Sequence, residues 1–526
     1  MKSFMNFDYT EEQLALKAQI RAFCEKEIKP EMRRLEDAQV YPLRTIKMLG
    51  EMGFMGMPFP REYGGMGLDY LTYVMLVEEI SKISPSHGVA VQTHHALATW
   101  PIFTYGTEEQ KRKYVPDLAS GRKIGAFGLT EPNAGTDAAM QQTVAEDKGD
   151  HWLLNGSKMF ISGAGVADVY VVMAMTDKSK GNHGISAFIV EKGMPGFSFG
   201  TNEDKLGIRS STVAELLFNN CRVPKENLLY EEGKGFKVAM TALDVGRLGI
   251  AAQALGIAQE SFDMTVRYMK HREQFGKPLS SLQALSFTMA ELETKIEGAR
   301  FLLYRAADHL DQGKSDISVT AAKAKLACST VAMETTLKAV QFHGGYGYIK
   351  DLPLERYMRD AKITEIYEGT SEVMKMVISG GIFGRGAKHE EKQVRILKDA
   401  SELKAVLAEH PGDICWSGGR GLTAAGFEKL QQLTEKTGGG FGASRGAVRA
   451  GLAKEEDQVG LTGRTVAPAV YVAVGISGMT QHLAGMKGSG LVVAINRNPR
   501  APIFSAADVG LVGDAEEILD ELLAIL

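Results

Sequence analysis

The chain changes its apolar period three times, and each change restricts what the stretch on either side can fold into. Over 9–118 apolar residues recur at three and four. Leu14, Ile20, Phe23 and Ile28 line one helix face, and Tyr73, Leu76, Val77 and Ile80 line another. After Gly121 the pattern turns to short β-branched and aromatic runs: Trp152-Leu153-Leu154, Lys158-Met159-Phe160-Ile161, and the stretches 169–173, 185–190 and 215–218. Asn155-Gly156 between the first two predicts a two-residue hairpin, because both residues tolerate positive φ. Helical spacing returns over 236–382, interrupted at Gly344-Gly345 and Asp351-Leu352-Pro353. Residues 385–410 are rich in Lys and Glu, with Val394, Leu397, Leu403 and Leu407 at helical spacing, which predicts a helical spacer. Beyond it, 470–474 and 491–495 are unbroken apolar runs, the pattern of parallel strands buried on both faces. An open α/β sheet of that kind binds its ligand beyond the carboxyl ends of its strands.

These shifts predict a multidomain chain. A helical domain occupies 1–120, a middle β domain 121–229, a helical bundle 230–384, a helical linker 385–412 and an α/β parallel-sheet domain 413–526. With 526 residues, 44% hydrophobic and 24% charged, the chain is globular rather than disordered. Sixty Lys and Arg against 64 Asp and Glu leave a net charge of -4, without the basic field that phosphate backbones require, so no nucleic acid partner is expected. Two charge-free stretches, 83–107 and 465–486, are long enough for about 30 Å of hydrocarbon. Pro85, Pro101, His87, His94 and His95 in the first, and Pro468, Gly475, Gly478, Gln481 and His482 in the second, argue against a span, so no membrane insertion is expected. Asp8, Glu11 and Glu12 occupy the place of a signal peptide's apolar segment, which predicts a cytoplasmic protein. The scattered Cys24, Cys221, Cys328 and Cys415 read as reduced thiols, and no metal site is expected.

Five motifs stand in order along the first 384 residues. They are Leu129-Thr130-Glu131-Pro132-Asn133-Ala134-Gly135-Thr136-Asp137, Lys158-Met159-Phe160-Ile161-Ser162, Asp244-Val245-Gly246-Arg247, Arg272-Glu273-Gln274-Phe275-Gly276-Lys277 and Ile366-Tyr367-Glu368-Gly369-Thr370. Together they resemble the acyl-CoA dehydrogenase family, most closely its short-chain, butyryl-CoA type. The resemblance implies the family's fold over 5–384: a helical N-terminal domain, a barrel-like middle β domain and a C-terminal helical bundle.

It also implies Glu368 as the base that removes the α-proton of an acyl-CoA while the β-hydride passes to FAD. That chemistry needs a dehydrated carboxylate, and donors on the thioester oxygen where charge develops. In the family these donors are the N–H matching that of Glu368 and a flavin ribitol hydroxyl. Some relatives place the base at the position of Gly246, which has no carboxylate here. The resemblance assigns Phe127, Leu129, Thr130, Gly135, Thr136, Phe160, Ile161, Ser162, Thr370 and Glu372 to FAD. It assigns Thr136, Asp244, Arg247, Tyr367 and Gly369 to substrate. Phe160 and Ser162 stand where many members carry Trp and Thr. Arg272, Phe275, Gln283, Gln341, Gly344 and Gly345 match residues that reach the adenosine half of FAD on a neighbouring subunit, which implies a homo-oligomer, a tetramer or a dimer. His94 and His95 fall where the family lines the acyl end of its cavity; acceptance of a polar acyl group is one reading, and a structural role is the one expected for each. No Arg stands there to suggest a dicarboxylyl substrate such as glutaryl-CoA.

Residues 413–526 carry Ser417-Gly418-Gly419-Arg420-Gly421-Leu422, Gly442-Ala443-Ser444-Arg445, Gln458-Val459-Gly460-Leu461-Thr462-Gly463, Gly475-Ile476-Ser477-Gly478-Met479-Thr480-Gln481-His482, Ala494-Ile495-Asn496 and Ala501-Pro502-Ile503-Phe504. These resemble the FAD-binding domain of the electron-transfer flavoprotein α subunit. The resemblance implies a second FAD held by Arg420, Ser444, Arg445, Val459, Gly460, Thr462, Gly475, Ser477, Gly478, Gln481, His482, Asn496 and Asp514, with Arg445 and His482 near the flavin ring. Gly438-Gly439-Gly440-Phe441-Gly442-Ala443 satisfies a loose dinucleotide pattern, but it follows a helical run, so no NAD site is expected.

The combined expectation is a short-chain acyl-CoA dehydrogenase fused to its own electron-transfer flavin domain, with two FAD per chain and an electron-transfer partner protein. Two alternatives stay open: an enoyl-CoA reductase working with a partner flavoprotein, and a C-terminal domain that docks partners without redox turnover.

Overall fold

The computed structural model describes residues 8–384, 394–410 and 412–526. The chain divides into two units, Met1–Ile382 and Phe383–Leu526.

The first unit begins with helices whose ends are fixed by local side chains. Thr10 and Gln13 form a reciprocal cap on Glu11–Phe23, Asp69 caps Tyr70–Ile83, and Ser84 caps Pro85–Thr93. The stretch 83–107 is helical from Pro85 to Tyr105, with a π-helical turn at His94–Thr99. At the centre lies the 37-residue helix Gly235–His271, packed against Tyr70–Ile83, Pro85–Thr93 and Ile317–His343. It is the one helix among the described residues long and apolar enough to cross a membrane, and most of it is buried in this core. Small residues let the helices approach closely: a Cβ on Gly256 would lie 2.5 Å from the Glu78 carbonyl oxygen.

Between the helical parts stands an eight-stranded sheet. Its order is Phe197–Phe199, Val213–Pro224, His151–Ser162, Val144–Asp147, Val169–Met175, Ile185–Glu191, Leu228–Leu229, with Gly125–Gly128 paired to Val169–Met175. The hairpin expected at Asn155-Gly156 is absent. His151–Ser162 runs as one strand, and Gly156 (φ 140°) sits at a bulge against Val213–Pro224. A Cβ there would fall 2.6 Å from Thr143 Oγ1, so the glycine serves a close strand crossing rather than a turn. A second irregularity, between Lys158 and Ile161, holds Phe160 at φ 59°.

The second unit is a six-stranded parallel sheet in the order Arg395–Leu397, Val509–Val512, Leu491–Asn496, Val470–Val474, Ile414–Gly418, Gly440–Ala443. Ala400–Glu409, Ala424–Thr437 and Ala515–Ile525 share a core with one face, while Ile476, Met486, Ile503 and Phe504 cover the other. Of the helical spacer expected over 385–412, Ala400–Glu409 is a helix, but it packs into the unit's core instead of standing as a spacer; 385–393 and 411 lie outside the described residues. Arg395–Leu397 is an edge strand paired with Val509–Val512, and Leu403 and Leu407 are buried in the unit's core. Val394 and Leu397 mimic a helical i, i+3 pair although the partner strand holds this stretch extended. The glycine run at 438–443 ends a helix at Gly438 (φ 64°) and then forms a strand, the reverse of a dinucleotide fingerprint.

Candidate functional site

Glu368 follows the helix Leu354–Ile363 and precedes Ser371–Phe383, in a turn that sets its φ at 51°. That left-handed backbone is costly for a residue with a Cβ and holds only where surroundings fix it. Its Oε1 accepts a hydrogen bond from Gln92 Nε2 at 2.9 Å, and its Oε2 is buried with no partner among the described residues. Burial pushes the carboxyl up to about 7, against the lowering effect of Gln92, Arg247 and Lys325. Arg247 pairs with Asp244 at 2.6 Å and reaches the Glu368 carbonyl with Nε at 3.3 Å. Lys325, buried and lowered to about 8 by its burial, donates to the Gly369 carbonyl at 2.7 Å. Tyr367 donates to Gln253 Oε1. The structure thus gathers Glu368, Tyr367, Gly369, Asp244 and Arg247 in one place.

The segment from Phe127 to Thr136 and the strand end Phe160-Ile161-Ser162 form a second patch. Met159 N donates to the Thr130 carbonyl at 2.8 Å. Below them Lys158, fully buried, bonds Glu131 Oε1 at 2.7 Å, Gln141 Oε1 at 3.0 Å and the Leu129 carbonyl at 3.2 Å. This ion pair locks both motifs together and leaves Phe160 projecting, 60% exposed. Gly135 has open space where a Cβ would stand. Thr370 Oγ1 accepts from Val373 N at 3.3 Å, and Glu372 is exposed in the following helix turn.

Arg272, Gln341, Gly344 and Gly345 line a separate shallow cavity of about 670 Å³, together with Tyr268 and Tyr346. Phe275, 93% exposed at φ 54°, stands in the Arg272–Gly276 turn, and Gln283 begins the helix Gln283–Asp311. Glu368 does not line that cavity.

In the second unit the expected residues cluster at the carboxyl ends of the parallel strands. Gly419 N bonds the Val474 carbonyl at 2.8 Å and Gly421 N the Gly475 carbonyl at 3.2 Å. A Cβ on Gly419 would lie 2.1 Å from the Gly475 carbonyl oxygen, so the two glycine loops need their bare backbones. Gly475 (φ 62°) and Gly478 (φ 89°) flank exposed Ser477. Arg420 and Arg445 are both exposed, and Ser444 caps the helix Arg445–Arg449. Val459 N bonds the Ala443 carbonyl, and a Cβ on Gly460 would meet the Gln481 carbonyl oxygen at 2.8 Å. Thr462 accepts from Gln458, Asn496 Nδ2 donates to the Ile476 carbonyl, and Asp514 caps the last helix. His482 is buried against Tyr471 OH at 2.9 Å, and its burial lowers it to about 4, so its ring is neutral.

Family models of the acyl-CoA dehydrogenase N-terminal, middle and C-terminal domains match residues 10–122, 126–221 and 233–383. A short-chain specific acyl-CoA dehydrogenase from Clostridium acetobutylicum is 54% identical over 379 residues, 72% of this chain and 100% of that one. The chain belongs to the acyl-CoA dehydrogenase family. It is an FAD-dependent oxidoreductase of that family, and its first unit has the family's fold. The butyryl-CoA dehydrogenase structure from Megasphaera elsdenii superposes with a TM-score of 0.71 at 48% identity, over 72% of this chain and 100% of that one. An acryloyl-CoA reductase (NADH) from Anaerotignum propionicum is 47% identical over 383 residues, 72% of this chain and 97% of that one. The electron transfer flavoprotein FAD-binding domain matches residues 411–487. The strands Leu491–Asn496 and Val509–Val512 extend the same sheet beyond that match.

Several contributors to this candidate site escaped sequence reading, Lys325 at the Gly369 carbonyl among them. Gln92 meets Glu368 across 276 positions, inside a stretch notable only for its lack of charge. Lys158 and Glu131 lie within the quoted motifs, yet nothing local marks them as an ion pair.

Proposed function

We propose that this chain oxidises a short-chain acyl-CoA to the 2-enoyl-CoA, with Glu368 as the base, and passes the electrons to a second FAD in its own C-terminal unit. The observation that carries the reading is the Glu368 carboxylate, buried at Oε2 without a partner and raised to about 7. A carboxylate stripped of water is the group an α-proton of a thioester requires. The likeness to butyryl-CoA and short-chain dehydrogenases supports the acyl class.

The residues present fit FAD. A projecting aromatic ring at positive φ (Phe160), with Thr130, Ser162 and the open space at Gly135 beside it, suits a flavin that needs a ring face and hydroxyl donors. Phe127, Leu129, Thr136, Ile161, Thr370 and Glu372 complete that set. FAD, when bound, supplies the acceptor for the β-hydride. The protein does the rest: Glu368 takes the α-proton, and Arg247 steadies its turn through the main-chain carbonyl. Asp244, Tyr367, Gly369 and Thr136 bound the space for the thioester. Arg272, Phe275, Gln283, Gln341, Gly344 and Gly345 are assigned to the adenosine half of a neighbouring subunit's FAD, which makes the enzyme a homo-oligomer. In the second unit the paired glycine loops and Arg420, Ser444, Arg445, Thr462, Ser477 and Asn496 cradle the second FAD. A tethered acceptor raises the effective concentration to the order of millimolar.

Two measurements test the two-flavin reading. FAD released per polypeptide should be two, and anaerobic addition of butyryl-CoA should bleach flavin in two phases. One FAD per chain, or a single phase, removes the second half of the proposal.

A second reading, reduction of an enoyl-CoA, is favoured by the 47% identity to the acryloyl-CoA reductase. The same residues serve either direction. Consumption of crotonyl-CoA driven by a reduced partner flavoprotein, faster than butyryl-CoA oxidation, would establish it.

A further inference from the structure

His94 and His95 are neighbours of the same type, but the fold uses them differently. His94 accepts from Gly125 N at 3.0 Å through Nδ1, and its Nε2 meets the Leu118 carbonyl at 3.0 Å. Both ring nitrogens are satisfied, and it joins the helices to the first strand. His95 is equally buried, yet neither of its ring nitrogens has a partner among the described residues. It lies among rings, with centroids 4.5 Å from Tyr73, 4.8 Å from Phe59 and 5.7 Å from Tyr70. Tyr73 is also buried, and its hydroxyl also lacks a partner. Three unpaired polar atoms on two touching side chains are rare in a native interior, where buried polar groups find hydrogen bonds.

Their position ties them to the reacting end. Gln92, which holds Glu368, lies three residues before His95 in the helical stretch that runs from Pro85 through Thr99. Tyr70, in contact with His95, also packs on the apolar cluster of Ala96, Leu97, Ala242 and Val245, and Val245 adjoins Gly246 beneath the Glu368 carboxylate. A run of neighbouring contacts therefore links the His95–Tyr73 pair to the helix segment under Glu368. Burial lowers His95 to about 3, so its ring is neutral, with one N–H and one lone pair. The rings around it carry no cation to meet a carboxylate. A hydroxyl, which both donates and accepts, matches the imidazole and the phenol together.

We propose that His95 and Tyr73 form a polar subsite that selects short acyl thioesters carrying a hydroxyl on the chain beyond the β-carbon. This rests on the dehydrogenase reading above and specifies its substrate. The test compares flavin reduction by 4-hydroxybutyryl-CoA and 5-hydroxyvaleryl-CoA with that by butyryl-CoA and valeryl-CoA. The full-length wild type, Tyr73→Phe and His95→Leu are measured side by side. A site built to bond a hydroxyl rejects the analogue lacking it, so the wild type should prefer the hydroxylated thioester of equal length by about 100-fold or more in kcat/KM. Tyr73→Phe removes one oxygen and keeps the ring packing, so it should cut that preference about tenfold, as should His95→Leu. A wild type that oxidises butyryl-CoA as well as the hydroxylated thioesters overturns the subsite and leaves the dehydrogenase reading standing. So does a Tyr73→Phe enzyme with the wild-type preference ratio. A preparation that no thioester bleaches contradicts the dehydrogenase reading itself, and the subsite with it.

Discussion

A Cβ on Gly246 would lie 2.0 Å from Oε2 of Glu368, so the absence of a side chain at one position is what gives the carboxylate of the other its place. Gly249, one turn further along the same helix, does the same for Gln92, whose Cβ would be met at 2.6 Å. Gly246→Ala should therefore displace the carboxylate while the helix persists. A shift of about 1 Å in a reacting group costs roughly 100-fold in rate. Turnover with butyryl-CoA should fall by that order with FAD content unchanged. Activity within a fewfold of wild type would show that the carboxylate has room elsewhere.

Gln92 supplies the hydrogen bond to Oε1 that favours the charged form of Glu368, against burial, which disfavours it. If Glu368 is the base, as proposed, it works deprotonated, so kcat/KM should rise with pH through about 7 in the wild type. Gln92→Leu removes the donor and should move that limb to higher pH. A limb that stays in place, or moves down, contradicts the contact.

Lys158 and Glu131 form a buried ion pair that fastens the strand bearing Phe160 to the 129–136 segment. Removing one partner strands the other charge, which costs about 3–5 kcal/mol. Lys158→Met should lower the thermal midpoint by several degrees and release FAD during desalting. A variant that keeps both stability and colour would refute the role of the pair.

Asp360, fully buried, bonds Ile208 N at 2.5 Å, and burial with nearby Glu36 pushes it up to about 7. Between about pH 4 and 7 the folded state keeps a proton that the unfolded state has released, so this group's contribution to stability is lost as pH rises through that window. Asp360→Asn keeps the accepting oxygen and removes the titration. The stability of wild type relative to the variant, from urea unfolding, should fall as pH goes from 4 to 7. A constant difference would place the Asp360 titration outside that range.

Much of this architecture was legible because it is written locally. The apolar runs at 470–474 and 491–495 are strands because burial on both faces leaves no polar position in them. Glu368 stood out as a candidate through its neighbours Tyr367, Gly369 and Thr370, a string that carries its context with it. What misled was local chemistry with two structural uses. The glycine of Asn155-Gly156 permits positive φ in a turn or at a bulge, and only the approach of Thr143 decides between them. Arg395–Leu397 is too short to declare itself, and its strand partner lies more than a hundred residues away. The same limit separates His94 from His95: their difference lies in Leu118, Gly125 and the rings of Phe59, Tyr70 and Tyr73, all brought in by the fold.

The most direct test of the account is the rate of flavin bleaching when butyryl-CoA is mixed anaerobically with the Glu368→Gln enzyme. Gln keeps the shape and the hydrogen-bonding oxygen but cannot take a proton, so bleaching should slow by about 100- to 10,000-fold while the yellow colour of bound FAD remains. Bleaching at close to the wild-type rate would show that another group removes the α-proton, and the assignment of Glu368 would be wrong.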